Sequence, residues 1–134
     1  MSVLNEIKTK LDLLGSLGTL VLGTMPTDPD AIGSIYEYPG LAPEWKFGVV
    51  GIGYEFPFIQ VVFRGAPYDY SGPRALAKIA WNSLAAVQPG ALCAGVTTEY
   101  LIVRPKGSIF QIAPPDENFR LKIGFNCEIE KVPS

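Results

Sequence analysis

Residues that commonly carry catalysis are sparse in this chain. There is no histidine among its 134 residues, which removes the commonest general base and the commonest zinc ligand together. The two cysteines, Cys93 and Cys127, lie far apart with no second cysteine near either, so neither a redox CxxC nor a zinc pair can be built. Cys127 falls on the apolar side of an alternating stretch and reads as a small core residue. Cys93 is less constrained but has no histidine to activate it. The carboxylates Asp28 and Asp30 stand in Met25-Pro26-Thr27-Asp28-Pro29-Asp30, where aspartate is a turn former. A cation there would need more oxygen ligands than the stretch supplies. Asp116 and Glu117 follow Pro114-Pro115, and Glu128 and Glu130 share the polar side of the last strand. An acid–base pair needs an apolar pocket to raise a pKa, and none is identifiable around either pair. The stretch Gly48-Val49-Val50-Gly51-Ile52-Gly53 lacks the third glycine and the following helix of a dinucleotide site. It reads as a hairpin tip. The expectation is a protein that is not an enzyme, with no cofactor and no metal.

One compositional shift points elsewhere. Ten of the fifteen aromatic residues fall between Tyr36 and Tyr70. Trp45, Phe47, Tyr54 and Phe56 stand in a segment, Leu41 to Glu55 and just beyond, that Pro43 and several glycines interrupt. It reads as a long hairpin or extended loop. That is more apolar surface than a loop leaves in water, and aromatics are enriched at protein interfaces. These four are the candidate subunit or partner interface, expected to be mobile in the free chain and ordered by neighbours. A stacking platform for single-stranded nucleic acid would need a basic groove, and this stretch offers only Lys46 and Arg64.

The elements that must position these residues follow from periodicity. Ser2 can cap a first helix in which Val3, Ile7, Leu11 and Leu14 share a face, with Gly15 and Gly18 as its stop. Thr19–Leu22 reads as a short buried strand. A second strand spans about Ala31–Tyr38, and a third Phe58–Arg64 with Ile59, Val61 and Phe63 on one side. A second helix begins near Ser71, with Pro73 at its first position. Its stripe is Leu76, Ile79, Ala80, Leu84 and Val87, and Pro89-Gly90 ends it. Glu99–Arg104 and Ser108–Ala113 flank Pro105-Lys106-Gly107, a hairpin turn by composition. The clearest alternation runs from Phe119 through Leu121, Ile123, Phe125 and Cys127 to Ile129. The order predicts one α+β domain over residues 1–134, a mostly antiparallel sheet with two helices on one side.

Composition agrees with a globular chain: 48% of the residues are hydrophobic and 18% charged, too apolar for disorder. The formal charge of −2 implies no large basic surface for nucleic acid. No apolar run approaches the ~20 residues that span a bilayer, and charges interrupt the start of the chain where a signal peptide would be apolar. The expectation is a chain that is cytosolic when made, with free thiols and no membrane contact.

Taken in order, several segments resemble a known family. They are the leading amphipathic helix, the Met25–Asp30 loop, and Ile35-Tyr36-Glu37-Tyr38-Pro39-Gly40. Pro57-Phe58-Ile59-Gln60-Val61-Val62-Phe63-Arg64-Gly65 and Tyr68-Asp69-Tyr70 before the second helix continue the series. Pro114-Pro115-Asp116-Glu117-Asn118-Phe119-Arg120 and the strand ending Asn126-Cys127-Glu128-Ile129-Glu130 close it. This pattern, over roughly residues 3–132, resembles the minor capsid or tail terminator proteins of long-tailed bacteriophages. The resemblance implies a structural virion protein at the head–tail junction, made in the host cytoplasm. It would form a hexameric ring with itself, cap the tail tube protein, and meet the head connector or neck protein. DNA would pass the lumen without sequence-specific binding. It supplies no catalytic residues; the segments it carries over are the Arg64-Gly65 strand end and the polar face of the last strand. A neck or tail-completion protein of the same assembly is the alternative, and an independent small-molecule-binding α+β domain a further one. Six globules each on the order of 30 Å across leave a central hole of about one diameter, and a chain without clustered cations would not hold sliding phosphates.

Overall fold

The structure is a computed structural model that describes residues 3–45, 52–90, 92 and 98–132, with the side chains of 38–45, 52 and 53 outside the description. The elements are α1 (Val3–Asp12), β1 (Leu20–Leu22), β2 (Ile32–Trp45), β3 (Ile52–Pro67), α2 (Ser71–Ala85), β4 (Tyr100–Ala113) and β5 (Arg120–Lys131). Among the described residues the strands form one sheet in the order β1-β2-β3-β5-β4. β1 pairs parallel to β2 and every other pairing is antiparallel. Both helices pack on the same sheet face, so the protein is an α+β fold of the expected type.

The core explains why. Ile59, Val61 and Phe63 of β3 stand opposite Cys127, Phe125 and Ile123 of β5, and Val61 also faces Ile35 of β2. This apolar face is closed by Val3, Ile7 and Leu11 of α1 and by Ala77, Ala80 and Leu84 of α2, all in one cluster of buried residues. The i, i+4 spacing in α1 puts its three apolar residues on one stripe. Small side chains at Ala77 and Ala80 let α2 lie close to the sheet. Gly124 lets two strands approach: an added Cβ would run into the Val61 carbonyl.

Several expected boundaries shift. α1 ends at Asp12, so Leu14 is exposed rather than part of the stripe. Pro73 is the third residue of α2 rather than the first, and the buried stripe is Pro73, Ala77, Ala80 and Leu84, leaving Ile79 exposed. The second strand does not stop at Tyr38. It continues to Trp45 through register shifts after Tyr38 and Leu41, where extra residues on β2 absorb Pro39, Gly40 and Pro43 as bulges. Of the two expectations for Leu41 to Glu55, a long hairpin or an extended loop, the antiparallel pairing of β2 with β3 out to Trp45 and Ile52 favours the first, with residues 46–51 outside the described ones. Pro105-Lys106-Gly107 is not a hairpin turn either. β4 runs straight through it, with Pro105 opposite Cys127 and a bulge between Lys106 and Phe110. An edge strand tolerates the missing proline N–H, and Gly107 takes the left-handed φ of 76° that the bulge requires. Phe119 lies outside β5, half exposed at φ 59°.

One polar pair lies within the core. Tyr100 of β4 donates its hydroxyl to Glu6 Oε1 of α1 at 3.1 Å, and both residues are buried. Burial and the Glu6 charge push the Tyr100 hydroxyl well above the ordinary phenol range. Tyr100→Phe should lower stability by about 1–3 kcal/mol, because it strips a buried carboxyl of its partner. Tyr100→Phe with Glu6→Leu should recover much of the loss, since no orphaned group is left. Urea melts of the three proteins check this; equal stability of wild type and Tyr100→Phe would mean the bond contributes nothing.

Candidate functional site

The sheet face opposite the helices carries the even-numbered residues of β3 and β5, and three zones follow one another along it. At one end, Arg64 and Arg120 lie buried side by side beneath residues 26–30. Arg64 donates from Nε to the Asp30 carbonyl at 3.1 Å, and from Nη2 to the carbonyls of Pro26, Thr27 and Pro29 at 2.8, 3.2 and 2.7 Å. Arg120 donates to the Thr27 carbonyl at 2.6 Å, to Asp30 Oδ1 at 3.2 Å and to Asp116 Oδ2 at 2.8 Å. Ser34 donates its hydroxyl to the Gly23 carbonyl and fastens the start of the same loop. Burial and the neighbouring Arg120 lower the pKa of Arg64, whereas the bonds to Asp116 and Asp30 outweigh desolvation and raise that of Arg120.

The middle zone is polar. Gln60 donates to Asn126 at 3.0 Å, beside a shallow hollow of about 340 Å³ lined also by Tyr36 and Glu37. The third zone mixes apolar and charged side chains. Phe56, Phe58 and Ile102 border a hollow of about 160 Å³ together with Arg104, Glu128 and Glu130. Glu128 accepts from Arg104 at 2.8 Å and from Lys106 at 3.2 Å. Those two bonds hold its carboxyl below the usual carboxylate range.

Of the four expected interface residues, the structure brings two to this zone. Tyr54 and Phe56 are half-buried on β3, in the same alternation as Phe58. Trp45 ends β2, where its partner is Ile52, and its side chain is outside the description. Phe47 lies outside the described residues, as does Cys93.

Of the remaining chemical candidates, Asp116, Asp30 and Cys127 have structural partners or burial. Asp116 closes a turn: it accepts the backbone N–H groups of Asn118 and Arg120, and the Arg120 side chain, which hold it below the usual carboxylate range. Asp30 caps the arginine pair. Burial pushes the Cys127 thiol up to about 12, so at neutral pH it is a protonated core side chain. The sign of the linkage is fixed by that shift: the unfolded thiol ionises from about pH 9 while the folded one stays protonated. Stability should hold below about pH 9 and fall toward pH 12, by up to about 1.4 kcal/mol per pH unit. Cys127→Ala should reduce that slope in pH-dependent urea melts, most clearly between about pH 9 and pH 10, below the range in which the raised Tyr100 hydroxyl adds its own loss; an unchanged slope there would mean the thiol is not responsible.

The sequence reading named Arg64 as the end of a strand and Phe119 as the start of another, but missed the pairing of Arg64 with Arg120 and the stacking of Tyr68 on Phe119 at the same end. Tyr68 and Phe119 both adopt positive φ, and their rings lie 5.2 Å apart at 12°. Among the described residues no group of three or more His, Cys, Asp or Glu could hold a metal ion. No described helix is long and apolar enough to cross a membrane. No protein-family model matches the chain, and no curated protein is found similar to it.

Proposed function

We propose that this chain is a structural virion protein of the tail terminator kind, one subunit of a hexameric ring that caps a phage tail tube and meets the head connector. The observation that carries the reading is the sheet face that neither described helix covers. Tyr36, Phe56, Phe58, Ile102 and Phe110 come to this face from β2, β3 and β4, and α1 and α2 both lie on the other side. The five lie among ion-paired and amide side chains, a mixture of apolar anchors and polar rim that suits protein contact. The β2–β3 arm adds to this, since Tyr54 and Ile52 pair with β2 beyond the last β3–β5 pair, Glu55 with Lys131. An arm that leaves its own sheet has strand edges and aromatic side chains to offer a neighbour. The order of segments that resembles the terminator family supplies the identity of that neighbour: the next subunit and the tube beneath. The formal charge of −2 suits a channel through which DNA slides.

The test is a reconstruction of the native particle. The expected result is a sixfold ring at the end of the tail tube with one copy of this chain at each position. A single copy, or a threefold or twelvefold ring, would overturn the reading, and a copy seated within the neck would favour a tail-completion role.

A further inference from the structure

Two patches of opposite charge lie on opposite sides of the sheet. Helix α2 contains no acidic residue, and its cations Arg74 and Lys78 make no ion pair among the described residues. Both rest on aromatic rings instead: the Arg74 guanidinium lies 6.0 Å from the Tyr70 centroid, and the Lys78 ammonium 4.7 Å from that of Trp81. Arg74, Lys78 and Trp81 form one wall of an open cleft of about 400 Å³, whose other wall is the bulge of β4 at Gly107–Ile109. Trp81 is held in place by its indole N–H, which donates to the Gly107 carbonyl at 3.2 Å. The cleft is therefore a shaped, positively charged recess on the helix side.

The second patch is the corner formed by residues 26–30 and the turn at Asp116. Its cations, Arg64 and Arg120, are buried, so the carboxylates are what faces water. Asp28 and Glu117 are exposed and make no ion pair among the described residues. Asp30 shares its charge with Arg120 yet keeps 52% of its side chain exposed. The sheet stands between this corner and the cleft, so one copy cannot join its own two patches.

We propose that the α2–β4 cleft of one copy receives the Asp28 and Glu117 corner of a second copy, a head-to-tail contact. The inference rests on the ring reading, because a heterologous contact of this kind is what closes a ring. Charge complementarity selects the partner: cleft against cleft and corner against corner both place like charges together, which disfavours them. Desolvation of Lys78 between Trp81 and an incoming carboxylate strengthens the pairing relative to an open surface.

The experiment uses the full chain at high concentration and low ionic strength in sedimentation velocity. The wild type should self-associate, and added salt should reverse it. Arg74→Glu with Lys78→Glu should weaken association at least tenfold, and so should Asp28→Lys with Glu117→Lys. An equimolar mixture of the two double variants should associate again, because each then supplies the charge that the other lacks. Zero-length carbodiimide coupling of the wild type should join Lys78 to Asp28 or Glu117 across copies, a readout that needs no variant. A monomeric wild type, variants that associate as wild type does, or a mixture no better than its parts would overturn the inference. A sixfold ring in the particle held by other surfaces would remove this contact and leave the ring reading standing.

Discussion

Arg64→Ala is expected to release residues 26–30 from the sheet and to lower stability by about 2–4 kcal/mol. The side chain is 3% exposed and donates to four main-chain carbonyls, and bonds from a charged donor contribute about 1.5–3 kcal/mol each before relaxation. They do not add, since the freed carbonyls regain water once the loop lifts. Arg64→Lys should recover only part of the loss, because an ammonium is a point charge and cannot reach carbonyls spread across the guanidinium fork. Urea melts give the magnitude, and protease cleavage confined to residues 24–31 locates it. Equal stability of wild type and Arg64→Ala, with no new cleavage, would mean the loop holds itself.

Phe125→Ala is expected to cost more, about 3–5 kcal/mol. Phe125 is fully buried and stands on β5 opposite Val61 of β3, in the middle of the core. Lys122→Ala, on the other side of the same strand, should change little. The comparison tests the register directly: a slip of one residue exchanges the two faces, so the reverse order of effects in urea melts would place Lys122 inside.

The parts of the fold that were legible are those where one neighbour face dictates the pattern. β5 alternates from Leu121 to Ile129 because α2 packs on one side of it and no described helix covers the other. α1 was legible for the same reason at period 3.6. β4 was misread because Pro105-Lys106-Gly107 has the composition of a turn. The same residues also suit an edge strand, where proline needs no ladder partner and glycine makes a bulge, and nothing local separates the two. The hairpin over Leu41 to Glu55 was one of two readings left open, and the continuation of β2 past Tyr38 was missed for a related reason, as bulges hide prolines and glycines inside a long strand. Arg64 was singled out only as a strand end, and its pairing with Arg120 was not legible. Arg64 reaches carbonyls 34 to 38 positions away, and Arg120 one 93 positions away, and a carbonyl leaves no mark on residue type. Composition grouped Tyr54 and Phe56 with Trp45 and Phe47, and the structure sets Tyr54 and Phe56 in one alternation on β3, half-buried.

The strand order has a consequence for the time course of synthesis. β5 follows the other described strands in sequence, yet it lies between β3 and β4. Until Arg120–Lys131 leaves the ribosome, β3 lacks its second neighbour and β4 has no sheet to join. The apolar side of β3, Ile59, Val61 and Phe63, therefore waits without Cys127, Phe125 and Ile123, beside an open strand edge of the kind that pairs with other chains. The helices cannot close over this gap alone, because β5 supplies a central row of the surface they cover. A nascent chain stalled before residue 120 should accordingly need a holding chaperone, and the full chain should gain its protection against hydrogen exchange in one late step.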